Sequence, residues 1–476
     1  MAPALSITPR YRPPLDPAFV PVSLWNRAYR ERVENNAKPA GLALALERSA
    51  GSVSVYSCPV LPHEGEGAEL NNLYVERLLK FLLWQKGGSR ITVAGEPRIA
   101  EYLRSVYSPG GERAFDYSFM GERVYGRPMA IVSCGFEDAP EEREITAPLG
   151  RHLDGFRIGF DLGGSDRKCA ALVNGEVVFS QETPWSPGAQ ADPQYHIDGI
   201  QDSLKRAAAH LPRVDAIGGS AAGVYVNNEI RVGSLYRAIP QPVFDARVRR
   251  LFFELRQAWG GIPFDVVNDG EVTALAGSMA LDDGAVLGIA MGTSVAAGYV
   301  TPRGGITSWL NELAFAPVDL REDAPADEWS GDRGVGVQYF SQQAVNRLLA
   351  PAGIDLGEVP LAVKLERVQE LMALGDARAR LIYETIGVYF GYALGGFAEF
   401  YDFRNLLALG RVLTGEGGSI ILNAARQVLE ADFPATAAKI RFHIPDEKEK
   451  RHGQAIAAAS LPALPDSGGK ADPKRN

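Results

Sequence analysis

The chain has 476 residues, 46% of them hydrophobic and 22% charged, enough to bury a large core in two to four domains. A formal net charge of −9 argues against broad electrostatic binding to nucleic acid or to an anionic membrane, while leaving room for a local anion site. Cys58, Cys134 and Cys169 lie far apart without a CxxC or Cys/His cluster, so neither a disulfide framework nor a structural zinc is expected.

Residues 1–20 are proline-rich and lack the apolar core of a signal peptide, so an extended N-terminus and a cytoplasmic protein are expected. Residues 21–150 form a first α/β block. Its hairpin GLALALERSAGSVSVYSCPVL is followed by a helix over Glu69–Gln85, a strand RITVAG and a further helix through Tyr102. No chemistry-bearing motif appears in it, and it ends in an acidic stretch, EDAPEERE, with the composition of a linker.

A second block, 151–283, opens with three strands, IGFDL, KCAALVNG and EVVFSQ, with Asn174-Gly175 as a type I′ turn signal. A helix with Ile197, Ile200, Leu204, Ala208 and Leu211 on one face leads to the strand VDAIGGS. A second helix, closed by Gly260-Gly261, precedes the strand FDVVNDG and the helix EVTALAGSMA. The third block, 284–460, repeats that opening: VLGIAMGTS, VAAGYV and, after Arg303-Gly304-Gly305, a third strand ITSWL. Helices dominate the remainder of this block, notably Ala377–Phe400, and the strand NLLALG enters a glycine-rich loop before SIILNAARQVLE. The most apolar run, Ala285–Val300, is short and broken by glycine, so no membrane span is expected, and residues 461–476 have the composition of a disordered tail.

Four motifs carry candidate chemistry. Asp161-Leu162-Gly163-Gly164-Ser165 is either a plain hairpin turn or a backbone nest for phosphate, with Asp161 beside it to hold Mg2+ through water. Gly292-Thr293-Ser294 occupies the matching place in the repeat, which favours phosphate binding at both turns. Asn268-Asp269 lies at a strand's carboxyl end, where Asp269 is either an ordinary helix N-cap or a general base. Asn311 and Glu312, flanked by apolar Trp309, Leu310 and Leu313, suit sugar hydroxyls, and Gly410, Gly417 and Gly418 form a loop at a helix N-terminus able to host a nucleotide. Neither a Rossmann fingerprint, nor GxxxxGK[ST], nor a G-x-S-x-G elbow is present.

In their order, IGFDLGGSDRKCAAL, VVNDGEVTALAG, IAMGTSVAAGY and LALGRVLTGEGG resemble the ROK family of sugar kinases, within the sugar kinase/Hsp70/actin (ASKHA) superfamily, over roughly residues 155–460. The resemblance implies an α/β fold of two ribonuclease H-like (actin-like ATPase) lobes around a nucleotide cleft, with residues 21–150 as an extra α/β domain. It implies ATP and Mg2+ as cofactors and a sugar as small-molecule substrate, with a homodimer admitted as the assembly. By the same resemblance Gly163, Gly164, Ser165, Gly292, Thr293 and Ser294 would bind phosphate and Asp161 would steer Mg2+. Asn268 and Glu312 would bind sugar, Asp269 would be the catalytic base, and Gly410, Gly417 and Gly418 would lie near adenosine. The chain departs from the family where Glu312-Leu313-Ala314-Phe315 lacks the usual histidine, where the downstream cysteine-rich zinc motif is missing, and at Asp166-Arg167-Lys168. Two alternatives stand beside the kinase: an ATPase switch of the actin or Hsp70 kind, and a non-catalytic sugar or nucleotide sensor.

Overall fold

The structure is a computed structural model that describes residues 5–144, 149–444 and 447–465. Of the expected tail, residues 466–476 lie outside the described residues. The chain forms two compact units. The smaller comprises Thr146–Val286, Val300–Thr307 and Pro445–Asn476; the larger comprises Met1–Ile145, Leu287–Tyr299 and Ser308–Ile444. The N-terminal residues thus cluster with the second half of the chain.

The smaller unit is built on a five-stranded sheet. From one edge its strands run Phe264–Asn268, Ala216–Ala221, Phe156–Leu162, Asp166–Val173 and Glu176–Pro184. The first three are mutually parallel, Asp166–Val173 runs antiparallel to them, and Glu176–Pro184, antiparallel in turn to that strand, returns to the direction of the first three, as in a ribonuclease H-like fold. Asn174 and Gly175 take left-handed φ angles of 49° and 86°, as the type I′ turn requires. Apolar residues of the helices Pro193–Ala208 and Leu251–Ala258 close one face over Ile158, Phe160, Ile217 and Phe264. The helix Glu447–Ala459 covers the other face, and two glycines let it approach. A Cβ on Gly159 would sit 1.9 Å from the carbonyl oxygen of Ala455, and one on Gly218 would sit 1.7 Å from that of Ala458.

The larger unit holds two four-stranded sheets. In the first, Val53–Val60, Ala40–Glu47, Arg90–Ala94 and Ala130–Cys134 lie in that order, flanked by the helices Val22–Glu34, Glu66–Lys86 and Pro97–Val106. The second orders Val295–Val300, Val286–Met291, Asn405–Leu409 and Arg441–His443. It lacks the third strand of the repeat. Ile306 makes only isolated bridges, to Leu149 and Val300, and the chain beyond it bonds elsewhere. The helices Ala377–Phe397 and Glu416–Asp432 pack closely along Gly387, Gly391 and Gly395, whose absent Cβ atoms would each fall 2.6 Å from the second helix or from Phe433 just beyond it.

The acidic stretch read as a linker is engaged: Arg143 bridges Val53, and Glu144 takes bonds from Arg48 and Ser54. Residues 5–20 run extended along the helical layer, where Asp16 receives Arg321, Arg347 and the Tyr389 hydroxyl. Among the described residues no helix is long and apolar enough to cross a membrane.

Candidate functional site

The parallel strands of the smaller unit end together. Leu162 is level with Ala221, and Ala221 with Asn268, so Asp161 stands one residue before this edge and Asp269 one beyond it. Carboxyl ends of parallel strands are where open α/β sheets place ligands.

Asp161 is buried, and its Oδ1 accepts a 2.6 Å hydrogen bond from the Ser220 hydroxyl. Its Oδ2 faces the Lys168 ammonium at 3.6 Å, across the antiparallel pair. Burial pushes the carboxyl above its ordinary value, with Ser220 and Lys168 restraining the rise. Lys168 also reaches Asp166 at 3.3 Å; burial alone would depress its ammonium, but the two carboxylates raise it. Arg167 points to the opposite face, donating to Ser203 and, at 2.7 Å, to Asp202. The charge trio that fits neither the hairpin nor the family pattern is therefore explained by strand alternation: 166 and 168 serve the turn, and 167 ties down the neighbouring helix.

In the turn itself, the Trp185 indole N–H donates to the Gly163 carbonyl at 2.8 Å and its backbone N–H to that of Ser165 at 3.0 Å. The trans peptide then aims the Gly164 N–H away from Trp185. Gly164 has no left-handed φ, and a Cβ there would meet nothing within 4 Å. Neither backbone conformation nor packing demands glycine at that position.

Asn268 caps the helix Asp269–Ala280, accepting from the Gly270 N–H at 2.7 Å while its amide donates to the Gly223 carbonyl at 2.7 Å. That cap role falls to Asn268, leaving Asp269 in the first turn. Burial, and then the charge of Asp161, push the Asp269 carboxyl up to about 6, against a restraining bond from the Gly270 N–H.

The remaining candidates lie in the larger unit. Gly292–Ser294 joins the strands Val286–Met291 and Val295–Val300, with Thr293 and Ser294 exposed and the Gly292 carbonyl capped by the Gln342 N–H. Gly410, at φ 106°, lies against Met291, where a Cβ would come within 2.4 Å of the carbonyl oxygen. This brings the glycine loop next to the strand that carries the Gly292 turn. Gly417 and Gly418 have reasons inside the chain: a Cβ on the first would fall 2.5 Å from the Tyr383 ring, and one on the second 2.0 Å from the Leu413 carbonyl oxygen. Asn311 is buried at φ 52°, its amide oxygen accepting from the Tyr401 hydroxyl at 2.9 Å, while Glu312 is half-buried. Reading the sequence missed Ser220, Trp185 and Lys168 as parts of the Asp161 turn. The signal for Lys168 was its place seven residues on, directly across the hairpin.

For magnesium, Asp161 offers one hard carboxylate, and among the described residues no cluster of three or more acidic, His or Cys side chains could hold a metal. Such a site fits Mg2+ only when phosphate and water supply most of its ligands, which is how that ion commonly binds.

These two units, one with a complete ribonuclease H-like sheet and one with its repeat, define a protein of the actin-like ATPase fold. The sequence matches no protein-family model, and no curated protein is similar to it. Among solved structures, the ROK hexokinase from Thermus thermophilus shares the fold with a TM-score of 0.51 at 18% identity, covering 64% of this chain and 97% of that one. A ROK-family transcriptional regulator, homolog of the E. coli MLC protein, does so with a TM-score of 0.53 at 19% identity, covering 65% and 79%. The chain therefore has the fold of ROK proteins, a fold found in both kinases and a regulator.

Proposed function

We propose that the protein is an ATP-dependent kinase that phosphorylates a hydroxyl of a sugar or sugar derivative. The observation that carries this reading is Asp269: a carboxyl at a parallel-strand end, beside Asp161, pushed up to about 6 and so matched to proton transfer near neutral pH. Asp269 accepts the proton of the attacking hydroxyl, and Asn268 and Glu312 orient the sugar. The turns Gly163–Ser165 and Gly292–Ser294 bind phosphate oxygens through backbone N–H groups, and the loop of Gly410, Gly417 and Gly418 lies near the adenosine. Asp161 would hold Mg2+ through water; when bound, the ion offsets charge on the transferring phosphate. Lys168 and Ser220 favour the ionised form of Asp161.

The test is release of ADP from ATP across a panel of sugars, each with Mg2+ and with chelator. Sugar-dependent, chelator-sensitive turnover is expected, and ATP turnover indifferent to every sugar would replace the kinase with an ATPase switch. The likeness to a transcriptional regulator favours one second reading, a non-catalytic sugar sensor. Sugar binding without ATP turnover would establish it.

A further inference from the structure

The helix Glu66–Lys86 ends with carbonyl groups that its own ladder cannot satisfy. Gly87 caps the Leu83 carbonyl, and the next two go to a distant segment: the Asn311 N–H donates to the Gln85 carbonyl and the Glu312 N–H to the Trp84 carbonyl, each at 2.9 Å. Side chains close around the same segment. Lys86 lies 4.5 Å over the Trp309 ring, and Glu144 accepts from the Trp309 indole at 3.3 Å while pairing with Lys86 at 3.5 Å. The Phe315 ring sits 4.3 Å from that of Trp84, which is fully buried. Below it, Lys80 bonds Asp116 and Asp332 at 2.9 and 2.6 Å, and Arg113 joins Asp332 to Glu76 at 2.7 and 2.6 Å, all of them buried.

Backbone, rings and ions thus converge on Trp309–Phe315 from residues before 145. This stretch begins in ITSWL, the segment that the repeat pattern marks as a third strand, and runs on beyond it. Here the chain leaves the sheet and takes its hydrogen bonds from the helix end instead. We propose that the N-terminal block is the scaffold of the acceptor-binding segment, with Trp84–Lys86 as positioning residues for Glu312. The role of Glu312 in this proposal rests on the sugar-kinase reading above.

Lys86→Met removes the ammonium over Trp309 and its ion pair with Glu144 while keeping the length of the side chain; Lys86→Arg keeps both. Amide exchange at Asn311 and Glu312 would be measured in the whole protein, together with calorimetric affinities for a panel of hexoses and N-acetylhexosamines and for ADP with Mg2+. Lys86→Met is expected to speed exchange at both amides about tenfold and to weaken sugar binding about fivefold. ADP affinity should stay unchanged, and Lys86→Arg should restore both losses. Unchanged exchange would overturn the proposal, as would sugar and ADP affinities falling together, or faster exchange with sugar affinity intact. If the unmodified protein binds no sugar of the panel, the sugar-kinase reading fails on its own. The scaffold claim then stands or falls with the exchange data.

Discussion

A carboxyl group with a folded-state value of about 6 is largely ionised at neutral pH, which costs stability and suits a base. If Asp269 takes the proton of the acceptor hydroxyl, Asp269→Ala should lower kcat by roughly 10²–10⁴-fold and spare nucleotide affinity. Steady-state kinetics alongside ADP binding would check this, and an unchanged kcat would remove the assignment. The acid limb of kcat/KM should rise through pH about 6, because the ionised form is the active one. Asp161→Asn removes one charge that lifts Asp269, so any activity left in that variant should show the limb at lower pH. Stability runs the other way. Since folding raises this carboxyl from 3.8 to about 6, the native state holds the extra proton within that window and loses stability as pH climbs through it. Asp269→Asn should therefore stabilise the protein by up to about 3 kcal/mol at pH 8, with the gain vanishing near pH 4; urea melts at the two values would show it.

Two glycines of the smaller unit, similar in sequence, separate packing from function at the level of elements. Gly218 lies under the helix Glu447–Ala459, where an added Cβ would collide with a carbonyl that no side-chain rotation can move. Gly218→Ala should destabilise by about 1–3 kcal/mol in chemical denaturation. Gly164 stands in open space, so Gly164→Ala should leave stability within about 0.5 kcal/mol while weakening ADP affinity. Equal stability losses in the two variants would contradict this account of the turn. The turn was legible in the sequence because its signals are local: an aspartate, two glycines and an Asn-Gly closing the hairpin all fall within eighteen residues. The third strand of the repeat was misread for the opposite reason. The tight turn Arg303-Gly304-Gly305 followed by ITSWL repeats the element pattern of the second block, yet the backbone just beyond it, at Asn311 and Glu312, is claimed by carbonyls at Trp84 and Gln85, more than two hundred residues earlier. A local pattern records a segment's preference and not which partner wins it.

For the whole molecule, the sequence suggested a separable N-terminal block, because no motif in residues 21–150 hints at what they touch. Its contacts are with residues far along the chain: Lys80 and Arg113 with Asp332, Trp84 with Phe315, Arg30 with Glu399, and Asp16 with Arg321 and Arg347. A chain starting at residue 146 would leave Asp332 without either cation, in a place built to bury it, and breaking a buried ion pair costs about 3–5 kcal/mol. It would also strip the aromatic cover from Phe315 and the acceptors from the Asn311 and Glu312 N–H groups. Against a typical total stability of about 5–15 kcal/mol, these losses together are enough to unfold the larger unit. The shortened chain should keep secondary structure, lose near-ultraviolet dichroism from the larger unit's aromatic residues and bind a hydrophobic dye. A shortened chain with native dichroism and a cooperative melt would show instead that residues 1–145 are an appended domain, and the scaffold proposal would fall with that result.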